Sequence, residues 1–208
     1  MSVSVEELLE HIRNDVLRDV AQPYLFSDES LMHYLNEGYK LFARHTHCFI
    51  DHEELETEQG VRLYPLPKRI IYVRQVWWEY RPLAPFTRRS RLHFGLAGRP
   101  AAFTTDSGHK KLHVHPTPDG MYELTIQCAV SPELLEPGDE IDLEHEWAML
   151  LPNWVAYRAL GNNDPDGSNT VAAREFYQQW GLGLKEAKVD FTRQANTDNP
   201  SAQPRRWT

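Results

Sequence analysis

The sequence predicts an α+β chain: a four-helix core with two helices at each end, an inserted small antiparallel β domain, and an extended C-terminal tail. Three observations carry this expectation. Apolar residues recur at three- and four-residue spacing near the start and again after Gly138, as in helices that bury one face. Between these stretches β-branched and aromatic residues gather and alternate, as in half-buried strands. After Val189 the periodicity stops, and a polar segment with Pro200 and Pro204 follows. The expected boundaries are 1–60 for the N-terminal helical part of the core, 61–137 for the inserted β domain, 138–189 for the C-terminal helical part, and 190–208 for the tail.

The first helix opens with Ser4-Val-Glu-Glu7, the S-x-x-E form in which a hydroxyl and a carboxylate cap each other's backbone N–H groups. Its stripe is Leu8, Leu9, Ile12, Val16, Leu17 and Val20, and Pro23 is expected to end it. Ser27, followed by Asp28 and Glu29, starts the second helix, because a hydroxyl cap and early carboxylates suit the free N–H groups and the helix dipole. From Gly60 the pattern turns to strands: Val61–Tyr64, then Ile70–Trp78, then Lys111–His115 and Met121–Val130. The last two are expected to form a hairpin through Pro118-Asp119-Gly120. A third helix runs from Glu146 to Leu160 with Pro152 as an expected kink, and Gly161 closes it. A fourth helix follows from Thr170 to Ala187, burying Ala173, Phe176, Tyr177, Trp180 and Leu184.

A chain of 208 residues can bury roughly 70% of its unfolded surface, enough for a core without covalent staples. Its two cysteines, Cys48 and Cys128, lie 80 positions apart with no C-x-x-C spacing, which excludes a disulfide scaffold and a cysteine zinc site. Apolar runs fall far short of the ~20 residues that span a bilayer. The first residues are acidic where a signal peptide would be basic and then apolar. The expectation is a soluble protein of a cytoplasm-like compartment with no membrane partner.

The net charge of −8 is unevenly spread. Residues 1–60 hold 4 basic and 13 acidic residues, residues 61–120 hold 11 and 3, and residues 121–208 hold 7 and 14. A basic middle between acidic ends suits nucleic acid, or oppositely charged faces that dock between subunits.

Asp164-Pro-Asp166-Gly-Ser168-Asn-Thr170 with Glu175 at the twelfth position follows an EF-hand calcium loop, but Asn169 replaces its glycine and no second loop accompanies it. The same residues also read as a polar helix–helix turn. His45, His47 and His52 form one histidine group, and His109, His113 and His115 another. His113 and His115 alternate with Leu112 and Val114, so the solvated face of a strand explains them without a metal. No nucleophile elbow, P-loop, dinucleotide fingerprint or H-E-x-x-H is present, so the sequence names no catalytic residue, no metal ligand and no cofactor.

Two stretches read as binding elements. Arg88, Arg89, Arg91 and Arg99, with Phe86 and Phe94, lie among prolines and glycines; such a basic loop grips phosphates or serves a protein interface. The C-terminal segment carries Phe191, Arg193, Arg205, Arg206 and Trp207, arginines and aromatics that can fold onto a partner.

The ordered pattern resembles the head–tail adaptor (connector, or head-completion) proteins of tailed bacteriophages. The resemblance rests on Phe26-Ser-Asp-Glu-Ser-Leu-Met-His-Tyr-Leu-Asn-Glu-Gly38, on Leu63-Tyr-Pro-Leu-Pro67 leading into Ile70-Ile-Tyr-Val73, and on Trp154-Val-Ala-Tyr-Arg-Ala-Leu160 followed by Arg174-Glu-Phe-Tyr-Gln-Gln-Trp180. It implies a structural virion protein of the neck, assembled in the host cytoplasm and not an enzyme. Its implied partners are the portal protein, tail or nozzle proteins, further copies of itself in a ring (commonly a dodecamer), and double-stranded DNA passing through the lumen without sequence specificity. The resemblance gives portal binding to the tail. A calcium-binding or nucleic-acid-binding interaction module is the alternative expectation.

Overall fold

The computed structural model describes residues 3–86, 97–106, 108, 110–162 and 169–198. In chain order it opens with β1 (Val3–Ser4), α1 (Val5–His11), a π-helical turn (Ile12–Val16) and α2 (Asp28–Thr46). The strands β2 (Ile50–Glu56), β3 (Leu63–Pro65), β4 (Ile70–Trp78), β5 (Arg81–Pro82) and β6 (Ala84–Pro85) follow. Then come β7 (Ala97–Gly98), β8 (Ala102–Asp106), β9 (Lys111–His115), β10 (Thr117–Pro118) and β11 (Glu123–Val130). The chain continues through β12 (Glu140–Ile141), α3 (His145–Ala148), α4 (Leu151–Asn162) and α5 (Thr170–Asp198). It divides into two compact units: residues up to Thr46 together with those from Pro132 onward, and His47–Ser131.

In the first unit the capping box forms: Glu7 N–H donates to Ser4 Oγ at 3.2 Å, and Ser4 N–H donates to the Glu7 carboxylate at 3.3 Å. β1 pairs antiparallel with β12, which ties the start of the chain down beside Ile141. α2, α4 and α5 pack on one another around Leu31, Leu35, Phe42, Leu151, Val155 and Trp180. Gly38 permits a close helix approach, since a Cβ there would stand 2.8 Å from Trp154 Cδ1. An aromatic chain fills the contact: Tyr177 lies 4.8 Å from Tyr157, Tyr157 5.4 Å from Trp154, Trp154 5.7 Å from Trp180, and Trp180 6.4 Å from Phe42, between ring centroids.

In the second unit β2-β11-β4-β5 form one sheet with every pair antiparallel. β3-β9-β8-β6 form another, in which β6 and β8 run parallel, and β7 pairs parallel with β10. Both four-stranded sheets feed one core, with Val73, Val76, Leu124, Ile126 and Cys128 from the first and Tyr64, Phe103, Leu112 and Val114 from the second.

The predicted fold class, a four-helix core with a small antiparallel insert and an extended tail, is corrected on each count. Strands make up about 28% of the described residues and lie in several sheets, two of whose pairings are parallel. The helical part is not four helices. The first predicted helix is a single short one that gives way to a π-helical turn, and the third is two, α3 and α4. Pro152 lies in the first turn of α4, where its missing N–H leaves no bond unmade, so it opens a helix instead of kinking one. The tail is not extended from residue 190, because α5 runs on to Asp198. Phe191 holds it, with ring centroids 6.2 Å from Phe42 and 6.2 Å from Trp147. The expected hairpin of β9 and β11 is absent as well: β9 pairs with β3 and β8, β11 with β2 and β4. Pro116 and Pro118 interrupt the ladder there and the chain changes sheets.

Candidate functional site

The most distinctive surface of the second unit is a groove over the β2-β11-β4 sheet, lined by His52, Glu54, Glu56, Trp77, Trp78, Glu79, Tyr80, Arg99, Met121, Tyr122, Glu123 and Thr125, with a volume of about 1230 Å³. Strand alternation builds it. Leu124, Ile126 and Cys128 of β11 are buried, so Glu123 and Thr125 take the other face. Register sets Glu56 opposite Glu123, and Glu54 opposite Thr125, which in turn lies opposite Trp77. Thr125 Oγ1 donates to the Glu54 carboxylate at 3.3 Å. Like charges directly opposite each other disfavour pairing, so the Glu56–Glu123 couple costs the sheet stability.

One end of the groove is the two-residue turn between β4 and β5. Trp77 pairs with Pro82 and Trp78 with Arg81, leaving Glu79 and Tyr80 as the turn, with φ of +46° and +63°. Such turns need φ > 0 at both positions, which Asn and Gly supply cheaply; glutamate and tyrosine there carry strain. Tyr80 is also fully exposed. At the groove's wall the Arg99 guanidinium stands 5.7 Å from the Trp78 ring centroid, and Trp78 meets Tyr122 edge to face at 5.4 Å. Tyr122 donates its hydroxyl proton to Asp119, and that bond raises the phenol above its ordinary pKa.

β2, the edge strand beside the groove, is guarded. Its inward-facing Asp51 and Glu53 are bridged by Arg69, and an inward charge discourages a further strand from adding. The Arg69 guanidinium, with the His52 N–H, holds the Asp51 carboxyl below its ordinary pKa. Burial, helped by Glu53 and Asp51, pushes the Cys128 thiol up to about 11.

The first unit presents a second surface on the loop after the π-helical turn. Arg13 and Asp19, both buried, pair at 2.8 Å, and Asp19 also accepts the N–H groups of Leu25 and Phe26. Arg13 reaches Phe26 O and Asp28, and lies 4.1 Å from the Tyr24 ring centroid. The loop so fixed holds Val20, Tyr24 and Leu25 exposed. Between α2 and α4, Glu37 accepts from both Arg158 and Trp154 Nε1.

Of the residues expected to bind, Arg88, Arg89, Arg91, Arg205, Arg206 and Trp207 lie outside the described residues. Arg99 is in the groove. Phe191 is committed to the aromatic packing, and Arg193, exposed on α5, stands 3.7 Å from Asp190. In the second histidine group, His115 is buried, stacked on Phe86 at 4.4 Å and 3.4 Å from Thr104 Oγ1, so the solvated-face reading does not hold for it. His109 and the Asp164–Ser168 part of the calcium-like loop lie outside the described residues. Among the described residues no three His, Cys, Asp or Glu side chains converge as a metal site. Sequence reasoning missed Glu79 and Tyr80; the signal was present, since two residues between Trp78 and Arg81-Pro82 leave room only for a tight turn.

The groove brings Trp77, Trp78, Tyr80, Tyr122, Met121 and Arg99 together, the aromatic, methionine and arginine side chains in which protein contacts are enriched. The chain matches the SU10 adaptor protein family over residues 3–206, nearly its whole length, and belongs to that family of phage head–tail adaptors. It is thus a structural adaptor protein of the phage particle. No curated protein matches it. No helix among the described residues is long and apolar enough to cross a membrane.

Proposed function

We propose that this protein forms a ring in the virion neck, joins the portal to the tail, and continues the DNA channel, after assembly in the host cytoplasm. The family match over residues 3–206 is the observation that carries this reading. Its partners are the portal protein, tail or nozzle proteins, neighbouring copies in a dodecamer, and double-stranded DNA held without sequence preference. The division of charge along the chain supports a head-to-tail ring, which needs two different and complementary faces on each subunit. Portal docking falls to residues 193–208, with Arg193 on the last turns of α5 and Arg205, Arg206 and Trp207 later in the sequence. Repeated around a ring, individually weak arginine and tryptophan contacts gain avidity.

The test is a truncation. Because α5 continues to Asp198 and Phe191 belongs to the fold, the informative deletion is 199–208. The shortened chain should keep the full-length melting temperature and lose co-migration with purified portal rings in size-exclusion chromatography. Undiminished docking would sink the assignment of the tail.

A further inference from the structure

We infer that the acidic, aromatic groove of the second unit is the socket for a second copy of this chain, which enters with its basic stretch, Arg88, Arg89 and Arg91 foremost. This rests on the ring reading above and names the contact that closes the ring. Glu54, Glu56, Glu79 and Glu123 line the groove, and among the described residues none of the four is ion-paired. Arg99 is the one guanidinium among the described lining residues. The matching charge is written in the same chain: residues 61–120 hold 11 basic residues against 3 acidic. A patch on one subunit that fits a different patch on the next is the heterologous contact that generates a ring.

Two costs in the free subunit point the same way. Glu56 faces Glu123 across the ladder, and Glu79 and Tyr80 hold left-handed backbone in a turn that glycine would make without strain. Both are relieved or repaid when guanidinium groups enter among the carboxylates and a partner covers the Tyr80 ring. Trp77, Trp78 and Met121 supply apolar walls for arginine stems and for an aromatic side chain.

The experiment is a charge swap on the full-length chain, read by sedimentation velocity across a concentration series and needing no portal. Variant one is Glu54→Arg with Glu56→Arg; variant two is Arg88→Glu with Arg89→Glu. Each alone should self-associate at least about tenfold more weakly than the wild type. An equimolar mixture should associate again, because each variant's altered patch then meets its complement on the other. Tyr80→Gly should weaken association while leaving the melting temperature equal or higher, which a merely structural tyrosine would not do. Association of both variants at wild-type strength, or a mixture that stays monomeric, overturns the inference; so does a groove filled by the same chain's basic stretch, seen as cross-links only within one chain in a mixture of isotopically light and heavy protein. Portal binding is measured separately. Absence of portal binding with self-association intact would strike the portal-joining reading and leave the socket standing.

Discussion

Replacing Asp19 by alanine is the sharpest test of how the first unit is held. Asp19 is buried and does three jobs: it pairs with the buried Arg13 at 2.8 Å and accepts backbone N–H groups from Leu25 at 2.8 Å and Phe26 at 3.0 Å. Breaking a buried pair by removing one partner costs about 3–5 kcal/mol, because the remaining charge is left in a poor medium; here Arg13 keeps the exposed Asp28 carboxylate and the Phe26 carbonyl, which favours the lower end of that range. The freed Phe26 N–H is buried too and adds part of a further ~1–3 kcal/mol, although such terms overlap. The expected loss is therefore about 3–5 kcal/mol, or at least about 10 °C in the melting temperature of this unit. Asp28 supplies the control. It approaches Arg13 more closely, at 2.5 Å, but its side chain is 83% exposed against 7% for Asp19. Water and salt screen it, so Asp28→Ala should cost only a small fraction of the Asp19 loss. Urea denaturation with separate fluorescence and circular dichroism readouts measures both. If Asp28→Ala proved as damaging as Asp19→Ala, or if Asp19→Ala cost under about 1 kcal/mol, the argument from burial would be wrong.

Other outcomes follow from the same geometry. Gly38→Ala gains about 1 kcal/mol of helix propensity but drives a methyl to 2.8 Å from a Trp154 ring held by Glu37, Trp180 and Arg158, so it should lower stability by about 0.5–2 kcal/mol in thermal melts. Gly183→Ala brings a methyl to 2.5 Å from Leu150 Cδ1 and 3.3 Å from its Cγ, but that side chain is flexible and half-buried and can turn away, so the variant should cost less than Gly38→Ala; the opposite order of the two variants would contradict the packing described. The Cys128 thiol is favoured in its neutral form by burial, with its ordinary value at 9.0 and its folded value at about 11. Its contribution is thus full below pH 9 and lost as the pH rises towards 11. In mildly alkaline native buffer Cys128 should resist iodoacetamide while half-buried Cys48 reacts, and equal rates by mass spectrometry would count against it.

Local chemistry was legible in the sequence, and long-range choices were not. The Ser4–Glu7 cap and the start of α2 after Ser27 are fixed by neighbours within one helical turn, and both form. So does the inward face of β11, which two-residue alternation marks. The hairpin of β9 and β11 failed because a turn signal says nothing about which sheet each flanking strand joins, and His115-Pro116 with Pro118 diverts the chain. β2 was unreadable as a strand: Ile50-Asp-His-Glu-Glu-Leu-Glu56 is mostly acidic and polar, and its pairing with β11 overrides that propensity. The length of α5 depended on Phe42 and Trp147, far away in sequence, offering Phe191 a place to pack. Of the groove, the carboxylates were visible as charge, whereas the register that sets Glu56 against Glu123 and the strained Tyr80 turn exist only in the folded sheet.

Native mass spectrometry of the full-length protein, alone and with purified portal rings, tests the central claim most directly. The expected result is an assembly of about a dozen copies bound to each portal ring, built from a subunit that is smaller when alone. A chain that stays monomeric in both samples, at concentrations where the portal ring remains intact, would contradict it.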